Sequence, residues 1–201
     1  GSKTTAIGTG ALATQNFTTA SNTYNTAVGY NAGSAVTIGT LNTLIGGLAG
    51  DALTAAYENT AVGESALGTD TLGRRTTAIG SGALQDQNFT TATNTDNVAV
   101  GYNAGNLVTT GLYNTLIGSG TGDNLTDSDF NTAVGTGALG SDSLGNRSTA
   151  IGYSALFSQN FTTASTSYNT AVGYNAGGSI QTGASNTLMG DSAGDAITTG
   201  G

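Results

Sequence analysis

Few residues of this chain could do chemistry, and none stands in a recognisable catalytic arrangement. The sequence has no His and no Cys, so it offers neither an imidazole base nor a thiolate nucleophile. Its Ser and Lys residues lack a base at a supporting spacing. Asp127 and Asp129 form a close acidic pair in a predicted turn, and glycoside hydrolysis needs only two carboxylates about 5–10 Å apart. We expect no enzyme, with glycan cleavage as the third-ranked alternative.

Acidic turns could also hold a cation. Gly122-Asp123-Asn124 and Asp127-Ser128-Asp129 offer oxygen ligands of the type that Ca²⁺ prefers. Neither turn contains the Gly-Gly-x-Gly-x-Asp nonapeptide of calcium-binding rolls. We therefore interpret them as solvated turns and expect no cofactor, with Ca²⁺ as the alternative.

A regular rank of Thr is the third chemical feature. Thr fills the second position of a repeated pentamer in ten of eleven copies, and Val98 is the exception. Ice-binding solenoids usually present two Thr ranks on one flat exposed face. Here the residue two places further on is Val, Ile, Leu or Met, so the Thr rank shares its face with an apolar one. An ice-binding or other ligand-binding solenoid is therefore the alternative function.

Three aromatic residues lie in the longest repeat units. Phe17, Phe89 and Phe161 occur in units that are four residues longer than the others. Irregular loops on a rigid scaffold are where binding residues concentrate, so these loops are the candidate surface contacts. The alternative is that each ring folds back over its own coil or packs between chains.

The elements that carry these residues are copies of one pentamer, Asn-Thr-Ala-Val-Gly. The interval between successive final glycines is 21, then 17 three times, and this order recurs, which predicts a super-repeat starting near 4, 76 and 148. We expect a single repeat domain over 1–201, and Gly1-Ser2 resembles a cloning remnant. The exact copies stand at 25–29, 59–63, 131–135 and 169–173, and close variants at 4–8, 42–46, 76–80, 97–101, 114–118, 148–152 and 186–190.

The spacing predicts the fold. The shorter unit has no room for a strand and a packed helix, and short apolar runs bounded by Gly and Asn are typical of strands and turns. We expect each unit to be a coil of two short strands and two turns. A single coil cannot bury its apolar face, so neighbours must stack. The prediction is an all-β parallel β-solenoid, or β-roll, of about eleven coils of 17 or 21 residues, roughly 50 Å long at about 4.8 Å per coil.

The pentamer strand has two partly apolar faces. Thr and Val share one face, while Asn, Ala and Gly share the other. A narrow coil has only one interior, so we expect the second face to meet another copy of the chain. The sequence leaves open which face is interior, and the Ala/Gly face could instead be a solvated, tightly twisted surface.

Stacking also predicts a ladder of the residues that precede each pentamer. In this ladder Arg75 lies between Glu58 and Asp96, and Arg147 lies between Phe130 and Tyr168. Such pairs help to define the register and contribute about 0.2–1 kcal/mol each. The complete ladder is Lys3, Tyr24, Leu41, Glu58, Arg75, Asp96, Tyr113, Phe130, Arg147, Tyr168 and Ser185.

Charge excludes two classes of partner. The net charge is -8 with only four Lys and Arg residues, so no basic patch is available for phosphates and nucleic-acid binding is not expected. The chain also lacks basic amphipathic stretches and long apolar runs, so we expect no membrane insertion in this segment.

These repeats resemble a known family. Asn-Thr-Ala-Val-Gly-Tyr-Asn-Ala-Gly (169–177) and Ser-Thr-Ala-Ile-Gly-Tyr-Ser-Ala-Leu (148–156) resemble the head repeats of YadA-like trimeric autotransporter adhesins and the repeats of phage and bacterial tail fibres. The resemblance implies a left-handed β-roll, a side-by-side homotrimer, and attachment to a host-surface glycan or protein. It also implies an extracellular location, on a cell surface or a virion tail. The units are longer than those of adhesin heads, which favours the tail-fibre branch.

Overall fold

The computed structural model describes residues 2–200, and every regular element in them is a β-strand. Gly1, one half of the suspected cloning remnant, lies outside the described residues, as does Gly201. The pentamers form one eleven-stranded parallel sheet whose strands follow chain order. The predicted all-β parallel solenoid of about eleven coils is thereby confirmed.

Each pentamer supplies one strand of three residues, and neighbouring strands pair in phase. Thr60 lies opposite Thr77, and Ala61 lies opposite Ala78. In-phase pairing puts the same side chain on the same face of every coil. In chain order the strands are β1 Thr5–Ile7, β2 Thr26–Val28, β3 Thr43–Ile45, β4 Thr60–Val62, β5 Gly73–Arg74, β6 Thr77–Ile79, β7 Thr93–Asn94, β8 Val98–Val100, β9 Thr115–Ile117, β10 Thr132–Val134, β11 Gly145–Asn146, β12 Thr149–Ile151, β13 Ser165–Thr166, β14 Thr170–Val172 and β15 Thr187–Met189.

The second strand expected in every coil forms a paired ladder only beside two of the long loops, so that expectation needs correction. There β5 pairs with β7, and β11 pairs with β13. Elsewhere the opposite side of the coil is built from turns that still bond between coils, as where the Leu67 amide donates to the Ala83 carbonyl at 3.0 Å. Ser65 and Leu67 have φ of 54° and 55°, and this left-handed backbone cannot continue an extended strand.

The interior of the coil holds the Asn and Ala side chains of the pentamer. Ala27, Ala61 and Ala133 are completely buried, and so are Leu67 and other Leu residues that follow the strands. The alternative of a solvated Ala/Gly face is therefore wrong. Small residues on the strand leave room in a narrow coil for those larger side chains, and the Thr and Val or Ile side chains consequently point outward.

The pentamer ends in glycine because neighbouring coils come very close there. Gly46 has φ +136°, and a Cβ on it would collide with the carbonyl oxygen of Gly63 in the next coil. Only glycine adopts this backbone conformation readily. Conformation and space therefore both require the residue.

The core stays well packed because a larger residue on one strand is matched by smaller residues at two neighbouring turns. Leu44, Leu116 and Leu188 replace the pentamer Ala once in each super-repeat. In the coil of Leu44 and in the coil before it, the position four residues after the pentamer glycine is Gly50 or Gly33 instead of Leu. A Cβ on Gly50 would lie 2.8 Å from Leu44 Cδ2, and a Cβ on Gly33 would lie 2.6 Å from Leu44 Cδ1. One large side chain on the strand thus fills the space of two at the turns.

The inward Asn side chains form a zipper that joins neighbouring coils within each super-repeat and is interrupted at Thr4, Thr76 and Ser148. Asn42 Oδ1 accepts the backbone amide of Asn59 in the next coil at 3.1 Å, while Asn42 Nδ2 donates to the Ala56 carbonyl of its own coil at 3.0 Å. Both partners are buried. Because a buried polar group without a partner costs about 1–3 kcal/mol, the zipper allows only one alignment of the coils.

Exchange of the paired volumes tests the packing. We expect Leu44→Ala to lower the free energy of unfolding by about 2–5 kcal/mol and Gly50→Leu alone to lower it by about 1–3 kcal/mol through overpacking. The double variant should be more stable than Leu44→Ala, because Ala61 and Leu67 already make this combination in the next coil. Denaturant unfolding measures all three. If the double variant loses as much unfolding free energy as the two single variants lose together, the two positions do not exchange volume.

Candidate interaction surfaces

The outward face of the eleven-stranded sheet is uncharged. It carries one rank of Thr, interrupted by Val98, and beside it one rank of Val, Ile or Met. Most of the Thr and all five Val residues of these ranks are half-buried. The larger apolar side chains are between 37% and 76% exposed, and they are Ile7, Ile45, Ile79, Ile117, Ile151 and Met189. An apolar strip that is partly exposed along its length is typical of an interaction surface.

The residues before the pentamers lie along one edge of this face. All eleven have left-handed backbone, with φ between 49° and 61°. Arg75 Nε donates to Glu58 Oε2 at 3.2 Å, and this is the single ion pair among residues 2–200. Arg75 makes no ion pair with Asp96, its other neighbour in the predicted ladder. Because both side chains of the Arg75–Glu58 pair are nearly half exposed, the pair contributes less than about 1 kcal/mol.

Aromatic stacking continues the same edge in later coils. The rings of Tyr113 and Phe130 stack with centroids 4.9 Å apart and planes at 8°. The Arg147 guanidinium lies 5.2 Å from the Phe130 centroid, within the range of a cation–π contact. No such contact joins Arg147 to Tyr168 in the described part of the chain. At the first coil Lys3 Nζ donates to the Tyr24 hydroxyl at 3.0 Å.

The long-loop phenylalanines are not exposed contacts. Phe89 and Phe161 are only 7% and 8% exposed, and Phe17 is half-buried. The Phe161 ring lies against the backbone of the preceding coil, since a Cβ on Gly145 would be 2.9 Å from Phe161 Cδ2. The expectation that these rings contact another surface is therefore wrong for Phe89 and Phe161, because the rings pack inside the chain. The exposed tips of these loops are the Thr-rich segments at 90–92 and 162–164.

A buried carboxylate anchors each of the last two long loops. Asp70 Oδ1 accepts the amides of Gly73 and Phe89, each at 3.0 Å, and its Oδ2 accepts Gln87 Nε2 at 2.7 Å. Asp142 makes the same three bonds in the next super-repeat. Neither carboxylate is among the site residues predicted from the sequence. The available signal was an Asp that precedes the Phe of the repeated Gln-Asn-Phe at the same distance in both super-repeats.

Gln87 extends this network to the zipper. The pentamer at 76–80, in the same coil as Gln87, begins with Thr76 instead of Asn. Gln87 Nε2 donates to Thr76 Oγ1 at 3.0 Å. Gln87 Oε1 accepts Asn97 Nδ2 at 2.9 Å. The loop glutamine thus supplies the side-chain amide that the pentamer lacks. Gln87, Thr76 and Asn97 are all completely buried or nearly so.

The acidic turns hold ordinary hydrogen bonds. Asp127 Oδ1 accepts Thr110 Oγ1 at 2.7 Å, and Asp129 Oδ1 accepts the Leu112 amide at 2.8 Å. Both bonds tie one coil to the preceding one. Among residues 2–200 no group of three His, Cys, Asp or Glu side chains is arranged to hold a metal ion.

No helix among the described residues is long and apolar enough to cross a membrane. Comparisons with protein-family models, with curated proteins and with solved structures give no match. The described chain presents two kinds of surface, a uniform uncharged sheet face and turns whose side chains differ from coil to coil.

Burial of Asp70 has a consequence for pH dependence. Desolvation raises the pKa of Asp70 above its ordinary 3.8, against the lowering effect of its hydrogen bonds. A raised folded-state pKa means that the folded chain binds more protons than the unfolded chain between the two pKa values, so stability falls as pH rises through that window. The free energy of unfolding of the wild type minus that of Asp70→Asn should therefore decrease as pH rises from about 3.8.

Denaturant unfolding at a series of pH values measures this difference. The control is Asp127→Asn, which makes the same substitution at an exposed carboxylate in a turn. A difference that increases with pH would show that the hydrogen bonds outweigh desolvation and that the pKa of Asp70 is lowered.

Proposed function

We propose that this chain is a structural segment of a homotrimeric fibre that mediates attachment to a host or another surface, as in a tail fibre or a surface adhesin. The observation that carries the proposal is the uncharged outward face of the sheet, which repeats a rank of Thr beside a rank of exposed Ile or Met and half-buried Val in successive coils. Such a fibre would be extracellular, on a virion tail or a cell surface.

Another copy of the chain is the partner that fits this face best. Two copies placed side by side match rank for rank, because both carry the same residues at the same strand spacing. Complete burial of one exposed aliphatic side chain is worth about 1.5–3 kcal/mol. Partial burial in each of eleven coils therefore adds up to an energy comparable with the roughly 4–15 kcal/mol cost of association. The number three comes from the resemblance to trimeric adhesin heads.

A trimer of rigid solenoids suits attachment. The repeated strands span distance, while residues outside them vary and can contact a host glycan or protein. Three identical weak contacts on one fibre raise the effective concentration of each, which strengthens overall binding without a stronger single contact.

The mass in solution tests the proposal. We expect the wild type to sediment as three chains of 19.6 kDa, and Ile79→Asp with Ile117→Asp to dissociate it into folded monomers. Both side chains point outward and are 37% and 39% exposed, so a single chain should tolerate the charges. Thr91→Asp, at an exposed loop tip, is the control and should remain trimeric. A monomeric wild type, or trimeric Asp variants, would refute the self-packing of this face.

Ice binding is the second candidate, because the outward face is a regular, uncharged array of Thr beside Val or Ile. A monomer could present this array to an ice surface. Thermal hysteresis of the purified chain measures the activity, and replacing the half-buried Thr60 and Thr132 by Lys should abolish it. Hysteresis in a monomeric wild type would favour this function over the fibre, whereas a trimer without hysteresis would exclude it.

A further inference from the structure

A groove of about 330 Å³ opens at the turns that follow β9, β10 and β12. It lies beyond the ends of these strands, and none of its lining residues belongs to the outward sheet face. Among its lining residues are Asp123, Asn124, Ser141, Tyr153 and Phe157. These come from three successive coils, and only the stacking of the coils brings them together.

Two exposed aromatic rings form one part of the groove. Tyr153 is 54% exposed and Phe157 is 45% exposed. Tyr153 stacks on Tyr174 of the next coil with centroids 5.3 Å apart and planes at 9°. Phe157 lies over the preceding coil, where a Cβ on Gly140 would be 3.2 Å from Phe157 Cε2. Both rings are thus held in place before any ligand arrives.

Polar groups line the rest of the groove. The Asp123 carboxylate has no salt-bridge partner among the described residues. Asn124 Nδ2 donates to the Gly140 carbonyl, which orients the amide, and Ser141 adds a hydroxyl. No Lys or Arg lines the groove, so it offers no cation to a phosphate or a carboxylate.

The aromatic pair is not required by the fold. The same coil positions one super-repeat earlier carry Ser81 in place of Tyr153 and Gln85 in place of Phe157. The strands that precede these two turns, β6 and β12, have the same three-residue sequence and lie at equivalent positions of successive super-repeats in the sheet. Large exposed rings that packing does not need are typical of a binding surface.

We propose that this groove binds a neutral saccharide. The apolar C–H face of a sugar ring lies on Phe157 and Tyr153, and its hydroxyls bond to Asp123, Asn124 and Ser141. Aromatic walls with a few convergent polar groups are the usual composition of a small-ligand site. The assignment deepens the proposed function by giving its attachment a chemical class, and it rests on that function only for its biological setting, because one chain contains the whole groove.

The test replaces the two aromatic residues by those at the equivalent positions of the preceding super-repeat. Tyr153→Ser with Phe157→Gln installs the residues that this fold already accepts at 81 and 85. The control is Tyr102→Ser, which removes a ring that is 62% exposed at the equivalent place in another coil, outside the groove. Each protein is applied to an array of neutral hexose, N-acetylhexosamine and sialylated oligosaccharides, and the neutral probe that the wild type binds is then titrated by calorimetry.

We expect the wild type to bind a neutral probe, the groove variant to bind it at least about tenfold more weakly, and the control to match the wild type. Unchanged binding in the groove variant, equal loss in the control, binding of sialylated probes alone, or no saccharide binding would each overturn the assignment. Mass measurements on the same samples separate the two proposals. A trimer without saccharide binding refutes the groove alone, and a monomer that loses neutral binding in the groove variant refutes the fibre alone.

Discussion

The amide of the inward Asn is the interaction on which the rest of the solenoid depends. Asn97 Oδ1 accepts the backbone amide of Asn114 at 2.8 Å, and Asn97 Nδ2 donates to the Gly111 carbonyl at 2.7 Å. One side chain thus fixes both the distance to the next coil and the width of the coil to which it belongs. Since a one-residue slip would turn Thr inward and leave these buried groups unpaired, the outward ranks are held in line as a consequence.

The longer coils satisfy the same constraint by other residues. Where Thr76 or Ser148 replaces the pentamer Asn, the following loop brings Gln87 or Gln159, and Asp70 or Asp142 in the coil before accepts its amide hydrogen. The four inserted residues are therefore integrated in the solenoid, and their Phe side chain becomes part of the packing. The cost at Asp70 is burial of a carboxylate, because desolvation disfavours its charged form.

Repetition and variation are separated in space. Residues on the strands and in the core repeat because each must fit an identical neighbour, and this uniformity makes the outward face suitable for a second copy of itself. The outward side chains of the turns contact solvent and few neighbours, so Ser81 and Tyr153 can occupy the same place in two super-repeats. The scaffold can thereby carry both a self-association face and a local binding groove.

Sequence by itself determined the architecture. Eleven copies at two regular intervals, the longer of which opens each super-repeat, allow one alignment, and that alignment implies parallel strands, their register and the stacking direction. It could not determine the inward face, because alternation along Thr-Ala-Val is symmetrical until the space inside the coil is known. The tertiary structure decided this, since only Ala and Asn leave room for Leu67 and its equivalents. It also decided the burial of Phe89 and the collection of Asp123, Tyr153 and Phe157 in one groove, because these contacts join residues of different coils that meet only when the coils stack.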